Sequence, residues 1–269
     1  MTPGTATRRR APWSLGVPAL IGALLLVVPL VGLLLRAPWS GLPRILATPE
    51  VLDALWLSLF SATIATGISI LLGVPLAWVL ARSDLPGLRL LRALVTLPLV
   101  LPPVVGGVAL LLVLGRNGVV GQYLDAWFGI TLPFTTAAVV VAETFVAMPF
   151  LVVAVEGAFR SADQGYDEAA ATLGAGRLAV FWRVSLPLIR PALVAGAVLC
   201  WARALGEFGA TVTFAGNLQG VTRTMPLEVY LAMETDPDAA VALSLVLLAV
   251  SVAVLFALRG RWVGTGGAV

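Results

Sequence analysis

Tyr166-Asp167-Glu168-Ala169-Ala170-Ala171-Thr172-Leu173-Gly174 is a polar stretch set between apolar runs of membrane length, closed downstream by Val184-Ser185-Leu186-Pro187. Asp167 and Glu168 stand where a short helix would begin and favour its positive end; the alanines propagate it, and Gly174 can terminate it. A short exposed helix between two membrane spans suits handling by another protein. The greasy flanks decide the fold class, and the polar insert points to the function.

Of the 269 residues, 59% are hydrophobic and 12% are charged, values far from those of soluble domains. The expected fold is therefore all-α, a polytopic bundle of membrane helices whose surroundings are lipid. All 17 basic residues are arginine. A P-loop needs a Gly-Lys-Ser/Thr to hold phosphates, so this chain cannot hydrolyse ATP by that route. Histidine is absent and Cys200 stands alone, which removes histidine acid/base chemistry, His/Cys zinc sites and intrachain disulfides. No catalytic residue, metal or cofactor is expected, and Cys200 reads as a packed side chain within a span. The arginines flank spans instead of forming one basic face, so no nucleic-acid partner is expected.

A span needs about 20 mostly apolar residues. Six segments qualify: 14–35, 54–81, 93–114, 134–157, 191–214 and 239–258. The first follows Arg8-Arg9-Arg10 like a signal peptide, but its apolar run reaches Leu35 with no small-x-small cleavage site, so it reads as a retained helix. With the N-terminus in the cytoplasm, the inner segments collect Arg8, Arg9, Arg10, Arg82, Arg89, Arg92, Arg160, Arg177, Arg183, Arg190, Arg259 and Arg261. The outer segments hold only Arg36, Arg44, Arg116 and Arg223. This bias places both termini and the Glu168 loop in the cytoplasm. Residues 1–269 read as one bundle: an N-terminal tail and extra first helix over 1–49, then a core over 50–258 with the polar loop at 160–190. Gly115-Arg116-Asn117-Gly118 and Gly216-Asn217-Leu218-Gln219-Gly220 read as outer turns. Only about ten residues follow Leu258, so no appended cytoplasmic domain is expected.

Arg203 and Glu207 lie four apart in the fifth span, on one helix face. An unpaired charge at mid-membrane costs at least about 2.5 kcal/mol on insertion scales, so the pair belongs in a bundle interior or polar cavity. It serves either as an ion pair that locks helices or as the lining of an anion path, with Arg203 attractive and Glu207 balancing it. Gly206 and Gly209 would let a neighbouring helix approach and the span flex. Thr211, Thr213 and Asn217 follow as neutral donors suited to an oxyanion, though helix polarity alone also explains each. The third span opens with Thr96-Leu-Pro-Leu-Val-Leu-Pro-Pro-Val-Val-Gly-Gly. Prolines 98, 102 and 103 remove backbone donors, so a kinked helix beside a cavity is expected. Glu143 is a lone acid in the fourth span beside Thr144, read as a packing residue.

The spacing Glu-Ala-Ala, three residues, Gly, nine residues, Val-x-Leu-Pro resembles the EAA loop of permease subunits of bacterial ABC importers, with Val184 where isoleucine is common. Further strings look like the molybdate-transport permeases: Leu97-Pro-Leu-Val-Leu-Pro-Pro-Val-Val-Gly, Gly115-Arg-Asn-Gly-Val-Val-Gly, Asp125-Ala-Trp-Phe-Gly-Ile-Thr, Thr172-Leu-Gly-Ala-Gly-Arg and Ala202-Arg-Ala-Leu-Gly-Glu-Phe-Gly-Ala-Thr. The likeness runs from about residue 50 to 258 and leaves the first 49 residues unmatched. Sulfate permeases share the Leu-Gly-Glu-Phe/Tyr-Gly theme, so a sulfate or thiosulfate importer is the alternative. Thr211-Val-Thr-Phe-Ala-Gly-Asn with Thr222-Arg-Thr-Met-Pro-Leu looks more like the molybdate branch.

The resemblance implies a type I ABC importer permease in the bacterial inner membrane. Its implied partners are a second copy of itself, two cytoplasmic ABC ATPase subunits that bind the ATP, and an extracytoplasmic molybdate-binding protein. By the same resemblance Asp167, Glu168, Ala169, Ala170 and Gly174 form the loop that docks on the ATPase, closed by Leu186 and Pro187. Arg203, Glu207, Phe208 and Thr211 fall in the gate region, to which Thr213, Pro102 and Pro103 are added here. Two other classes compete. A membrane-embedded enzyme built on Glu143, Glu207 and Arg203 lacks any nucleophile–base cluster, and a self-sufficient ion-driven carrier has no need of an ATPase-docking helix.

Overall fold

A computed structural model describes residues 13–262, so Arg8, Arg9 and Arg10 of the charge tally lie outside the described residues. Every described element is helical. In order these are α1 (Trp13–Leu35), α2 (Leu42–Leu46), α3 (Pro49–Arg82), α4 (Leu88–Val100), α5 (Pro103–Leu114), α6 (Gly121–Phe128), α7 (Thr136–Ser161), α8 (Gly165–Thr172) and α9 (Arg177–Val180). A π-helical turn (Phe181–Ser185) follows, then α10 (Leu186–Leu188), α11 (Arg190–Leu205), α12 (Gly209–Phe214), α13 (Met225–Thr235) and α14 (Pro237–Trp262). Helices α1, α3, α7 and α14 are each long and apolar enough to cross a membrane, and two bent pairs raise the number of spans to six.

The bundle is built on α3 against α7. Along one face of α3, Ala54, Ser58, Ser61, Ala65, Ser69 and Gly73 recur every three or four residues, and all are buried. Lipid chains are as apolar as leucine, so helices in a bilayer associate through close packing, and small side chains permit it. A Cβ added to Gly73 would stand 3.1 Å from Val152 Cγ2 of α7. Helix α11 lies along α7 in the same manner, where a Cβ on Gly196 would meet Ala154 Cβ at 3.2 Å. By contrast, α1 buries none of its residues, which suits a helix surrounded by lipid.

The third span departs from the expected kink. It is two helices, α4 and α5, bent by 120° at Leu101-Pro102. Pro102 and Pro103 have no N–H with which to continue the α4 ladder, so α4 ends before them. Pro103 then fits at the first position of α5, where no donor is needed. The Pro102 carbonyl accepts from Val105 N at 2.9 Å and Gly106 N at 3.2 Å, starting the new helix. The pair still traverses the bundle: Arg92 of α4 meets Glu156 near the end of α7, while Leu110 and Leu114 of α5 pack against the cluster holding Ala138 and Val139 near its start.

The fifth span is also broken. Helix α11 ends at Leu205 and α12 begins at Gly209, so Glu207 sits in the gap and does not continue the face of the helix that carries Arg203. A second bend, of 77°, separates the segment Arg177–Leu188 from α11.

The two ends of the bundle are distinct. At one, Arg82 ends α3 beside Asp167 of α8; at the other, Thr136 Oγ1 at the start of α7 donates to Val221 O at 2.9 Å. Both expected turns are present, with Gly216 and Gly220 at φ of +79° and +70°.

Candidate functional site

The polar loop folds as its residues dictate. Asp167 and Glu168 occupy the first turn of α8, Ala169 and Ala170 carry it forward, and Gly174 follows it with φ +87°. Gly174 N donates to Ala171 O at 2.9 Å and Ala175 N to Ala170 O at 3.0 Å. This paired closure satisfies two orphan carbonyls and needs a left-handed residue, which glycine adopts without strain. Leu186 and Pro187 lie in α10, directly after the π-helical turn, on the route back into the membrane. No residue of α8 is buried. Glu168 is exposed, and Tyr166, Leu173 and Leu178 of the same loop are 59%, 89% and 71% exposed.

Asp167 faces the other way. Its Oδ1 accepts from Ser185 Oγ at 2.9 Å, and its Oδ2 lies 3.6 Å from Nη2 of Arg82. Between α8 and the end of α3 runs a cleft of about 720 Å³ whose lining includes Trp78, Arg82, Asp84, Asp167, Glu168 and Arg177.

In the sequence Arg82, Arg92 and Arg160 mark only orientation; the structure gives each a partner. Glu156, nearly buried at the end of α7, lies 2.7 Å from Arg92 Nε and 3.1 Å from Arg160 Nε. Arg92 Nη2 also donates to Leu80 O at 2.9 Å, tying α4 to both α3 and α7. One acid at the end of a span with an arginine four residues on was the available signal.

The second cluster forms where the two broken spans face each other. Arg203 Nη2 lies 2.6 Å from Glu207 Oε2, and Glu207 Oε1 accepts from Ala210 N at 2.8 Å. Glu207 therefore joins the end of α11 to the start of α12, compensating an unpaired donor there. Its side chain is 1% exposed and that of Arg203 26%, so the pair is sealed on the acid side and open on the basic side. The Phe208 ring packs on Tyr230 of α13 at 5.3 Å between centroids.

Pro103 and Val104 of α5 press on Gly209, where a Cβ would meet Pro103 Cβ at 3.0 Å and Val104 N at 3.1 Å. In return, a Cβ on Gly107 would meet Ala210 O at 2.8 Å. Gly206 has no such neighbour, since its nearest atom is Ala202 O of its own helix at 3.6 Å, so of the two glycines only Gly209 admits another helix.

Of the expected row of neutral donors, only Thr213 donates to a partner among the described residues. Thr213 Oγ1 donates to Gly209 O within α12, and Asn217 Oδ1 accepts from Arg223 Nε at 2.8 Å. Thr211 is fully buried, and its Oγ1 has no hydrogen-bond partner among the described residues. Glu143 partners Ser61, whose Oγ donates to Oε1 at 2.8 Å, while Thr144 Oγ1 donates to Val140 O instead.

Residues 69–264 match the family described as binding-protein-dependent transport system inner membrane component. The chain is 53% identical over 245 residues to the molybdenum transport system permease protein ModB of Mycobacterium tuberculosis, covering 91% of this chain and 92% of that one. It is 37% identical over 250 residues to the sulfate transport system permease protein CysT of Salmonella typhimurium, covering 91% and 90%. Among solved structures, a bacterial alginate ABC transporter in complex with an alginate pentasaccharide-bound periplasmic protein superposes with a TM-score of 0.75 at 18% identity, covering 95% of this chain and 96% of that one. The fold is that of an ABC importer permease, and the chain belongs to the binding-protein-dependent transport system inner membrane component family.

Proposed function

We propose that this chain is the membrane-spanning subunit of an ATP-driven importer of molybdate, with tungstate as an equivalent cargo. The observation that supports this most is its likeness, along nearly its whole length, to a molybdenum transport permease, well above its likeness to a sulfate permease. Two copies pair about a shared path, an extracytoplasmic binding protein delivers the anion, and two cytoplasmic ATPase subunits bind and hydrolyse the ATP. Both termini and α8 face the cytoplasm, as the arginine bias requires. All 269 residues form one permease domain, with residues 50–258 as its core.

Helix α8 is the docking element. Glu168, Tyr166 and Leu173 meet the ATPase, Gly174 fixes the end of the helix, and Leu186-Pro187 returns the chain to the membrane. Closure of the ATPases on ATP draws the two α8 helices together and tilts the helices attached to them. The paired breaks at Pro102-Pro103 and at Gly206-Phe208 are where the bundle yields. Arg203, exposed on one side and balanced by Glu207 on the other, attracts a dianion without trapping it. Phe208 and Thr211 shape the constriction, and the chain supplies no covalent chemistry of its own.

The test is ATP hydrolysis by the chain reconstituted in liposomes with its ATPase and binding protein, titrated separately with molybdate, tungstate and sulfate. Stimulation by molybdate and tungstate at low concentration supports the reading. Stimulation by sulfate alone moves the chain to sulfate import, and failure to associate with any ATPase overturns the docking role of α8.

A further inference from the structure

We propose that Arg82 is the joint through which α8 moves the membrane bundle, a positioning residue that acts through Asp167. The inference rests on the docking role of α8 given above and adds the route by which its motion enters the membrane.

Helix α8 buries no residue, so apolar packing does not hold it. Its polar attachments to other elements run through Asp167, which lies between two of them. Ser185 Oγ, on the π-helical turn, donates to Oδ1 at 2.9 Å. Arg82, the last residue of α3, places Nη2 3.6 Å from Oδ2, an ion pair across the loop. The same Nη2 donates to Ala162 O at 3.3 Å, the residue that closes α7. One guanidinium thus touches the ends of α3 and α7 and the first turn of α8.

Arg82 has a buried side chain, with Asp167 as its one acidic partner among the described residues. That side chain is 8% exposed, and its Nε and Nη1 are buried without a hydrogen-bond partner among the described residues. A buried cation with two unsatisfied donors depends strongly on its single carboxylate, since separation would leave the charge unpaired. When α8 shifts, Arg82 follows Asp167, and α3 follows Arg82. Helix α3 carries the small-residue seam against α7, so the displacement enters the centre of the bundle. The π-helical turn supports this reading, because such turns recur at functional sites, and Ser185 ties this one to the same carboxylate.

The experiment uses the full chain and the variants Arg82→Gln, Asp167→Asn and Arg82→Lys. Hydrogen exchange over residues 165–172 is followed in the chain alone. Molybdate taken up per ATP hydrolysed, and capture of the ATPase, are followed in liposomes with the partners. Arg82→Gln and Asp167→Asn are expected to speed exchange in α8 by about tenfold, the effect of losing a partly buried ion pair. They are also expected to lower uptake per ATP several-fold while the ATPase is still captured, and Arg82→Lys to restore most of both. A purely structural pair would change stability without changing uptake per ATP. Unchanged exchange and uptake per ATP in Asp167→Asn overturn the joint. Loss of ATPase capture in step with uptake also overturns it, making Asp167 part of the docking face. A wild-type chain that captures no ATPase removes the underlying reading and the joint with it.

Discussion

Arg203 Nη2 and Glu207 Oε2 approach to 2.6 Å across the gap between α11 and α12, so a charge pair bridges the point where the fifth span breaks. The same carboxylate takes Ala210 N at 2.8 Å, which makes Glu207 the structural link between two helices as well as the neutraliser of Arg203. Breaking a buried pair by removing one partner costs about 3–5 kcal/mol, because the other charge stays buried. Arg203→Gln is therefore expected to lower the thermal midpoint in detergent by several degrees and Glu207→Ala to lower it further, since only the latter also removes the bond to Ala210. Equal midpoints for both variants and wild type would show that the pair is solvated.

The two glycines flanking Glu207 separate cleanly. Gly209→Ala places a methyl group 3.0 Å from Pro103 Cβ and 3.1 Å from Val104 N, forcing α12 away from α5 at a cost of about 1–3 kcal/mol. Gly206→Ala meets only Ala202 O at 3.6 Å and is expected to stay within about 0.5 kcal/mol of wild type. Thermal unfolding of the two variants side by side decides it, and an equally harmful Gly206→Ala would contradict the described approach of the helices.

Ser61 and Glu143 join α3 to α7 within the membrane. Bonds of this type contribute about 0.6 kcal/mol on average in bilayer proteins. Ser61→Ala is expected to destabilise by about that amount, and Glu143→Leu by more, because it also replaces a fitted side chain at the α3–α7 seam. A double-mutant cycle by denaturant unfolding would expose the coupling; strict additivity would mean that the bond contributes nothing.

Glu168 has an exposed side chain and joins the bonds of the loop only through its backbone, whereas the Asp167 carboxylate is committed to Ser185. Glu168→Arg should leave the bundle folded, with at most the loss of about 0.3–1 kcal/mol from a favourable helix-end charge, while abolishing uptake in reconstituted liposomes. Normal uptake in that variant would remove Glu168 from the docking face.

Gly174 holds φ +87° in the closure of α8. Gly174→Ala is expected to cost about 1 kcal/mol in a left-handed residue and to fray the end of the helix. Hydrogen exchange at Leu173 and Ala175 should rise in the variant, with the spans unaffected. Unchanged exchange there would mean that the closure contributes little.

How much of this was legible in the residues follows from the range of the forces involved. Composition and run length were enough for an all-α membrane bundle with six spans, because the cost of exposing backbone polar groups to lipid leaves few other solutions. The helix at 165–172 and its glycine closure were also legible, since caps and turn residues act over a few positions. The breaks were read only in part. Three prolines announced a weak third span, but a kink and a 120° reversal of direction have the same local signature. In the fifth span no proline warned of the gap at 206–208, and the four-residue spacing of Arg203 and Glu207 suggested one continuous helix. There the ion pair survives because the turn that closes α11, in which Gly206 N donates to Ala202 O and Glu207 N to Ala204 O, keeps Glu207 within reach of Arg203.

By itself, then, the amino-acid sequence determined where the chain crosses the membrane, which loop is polar and which side gathers arginine, all consequences of hydration energies that add along the chain. Only the tertiary structure decided that Asp167 faces Arg82 and Ser185, that Glu156 sits between Arg92 and Arg160, and that Gly107 and Gly209 lock α5 to α12. These contacts join residues far apart in sequence. Their geometry depends on how closely two backbones can approach, which close packing in three dimensions settles and no one-dimensional pattern encodes.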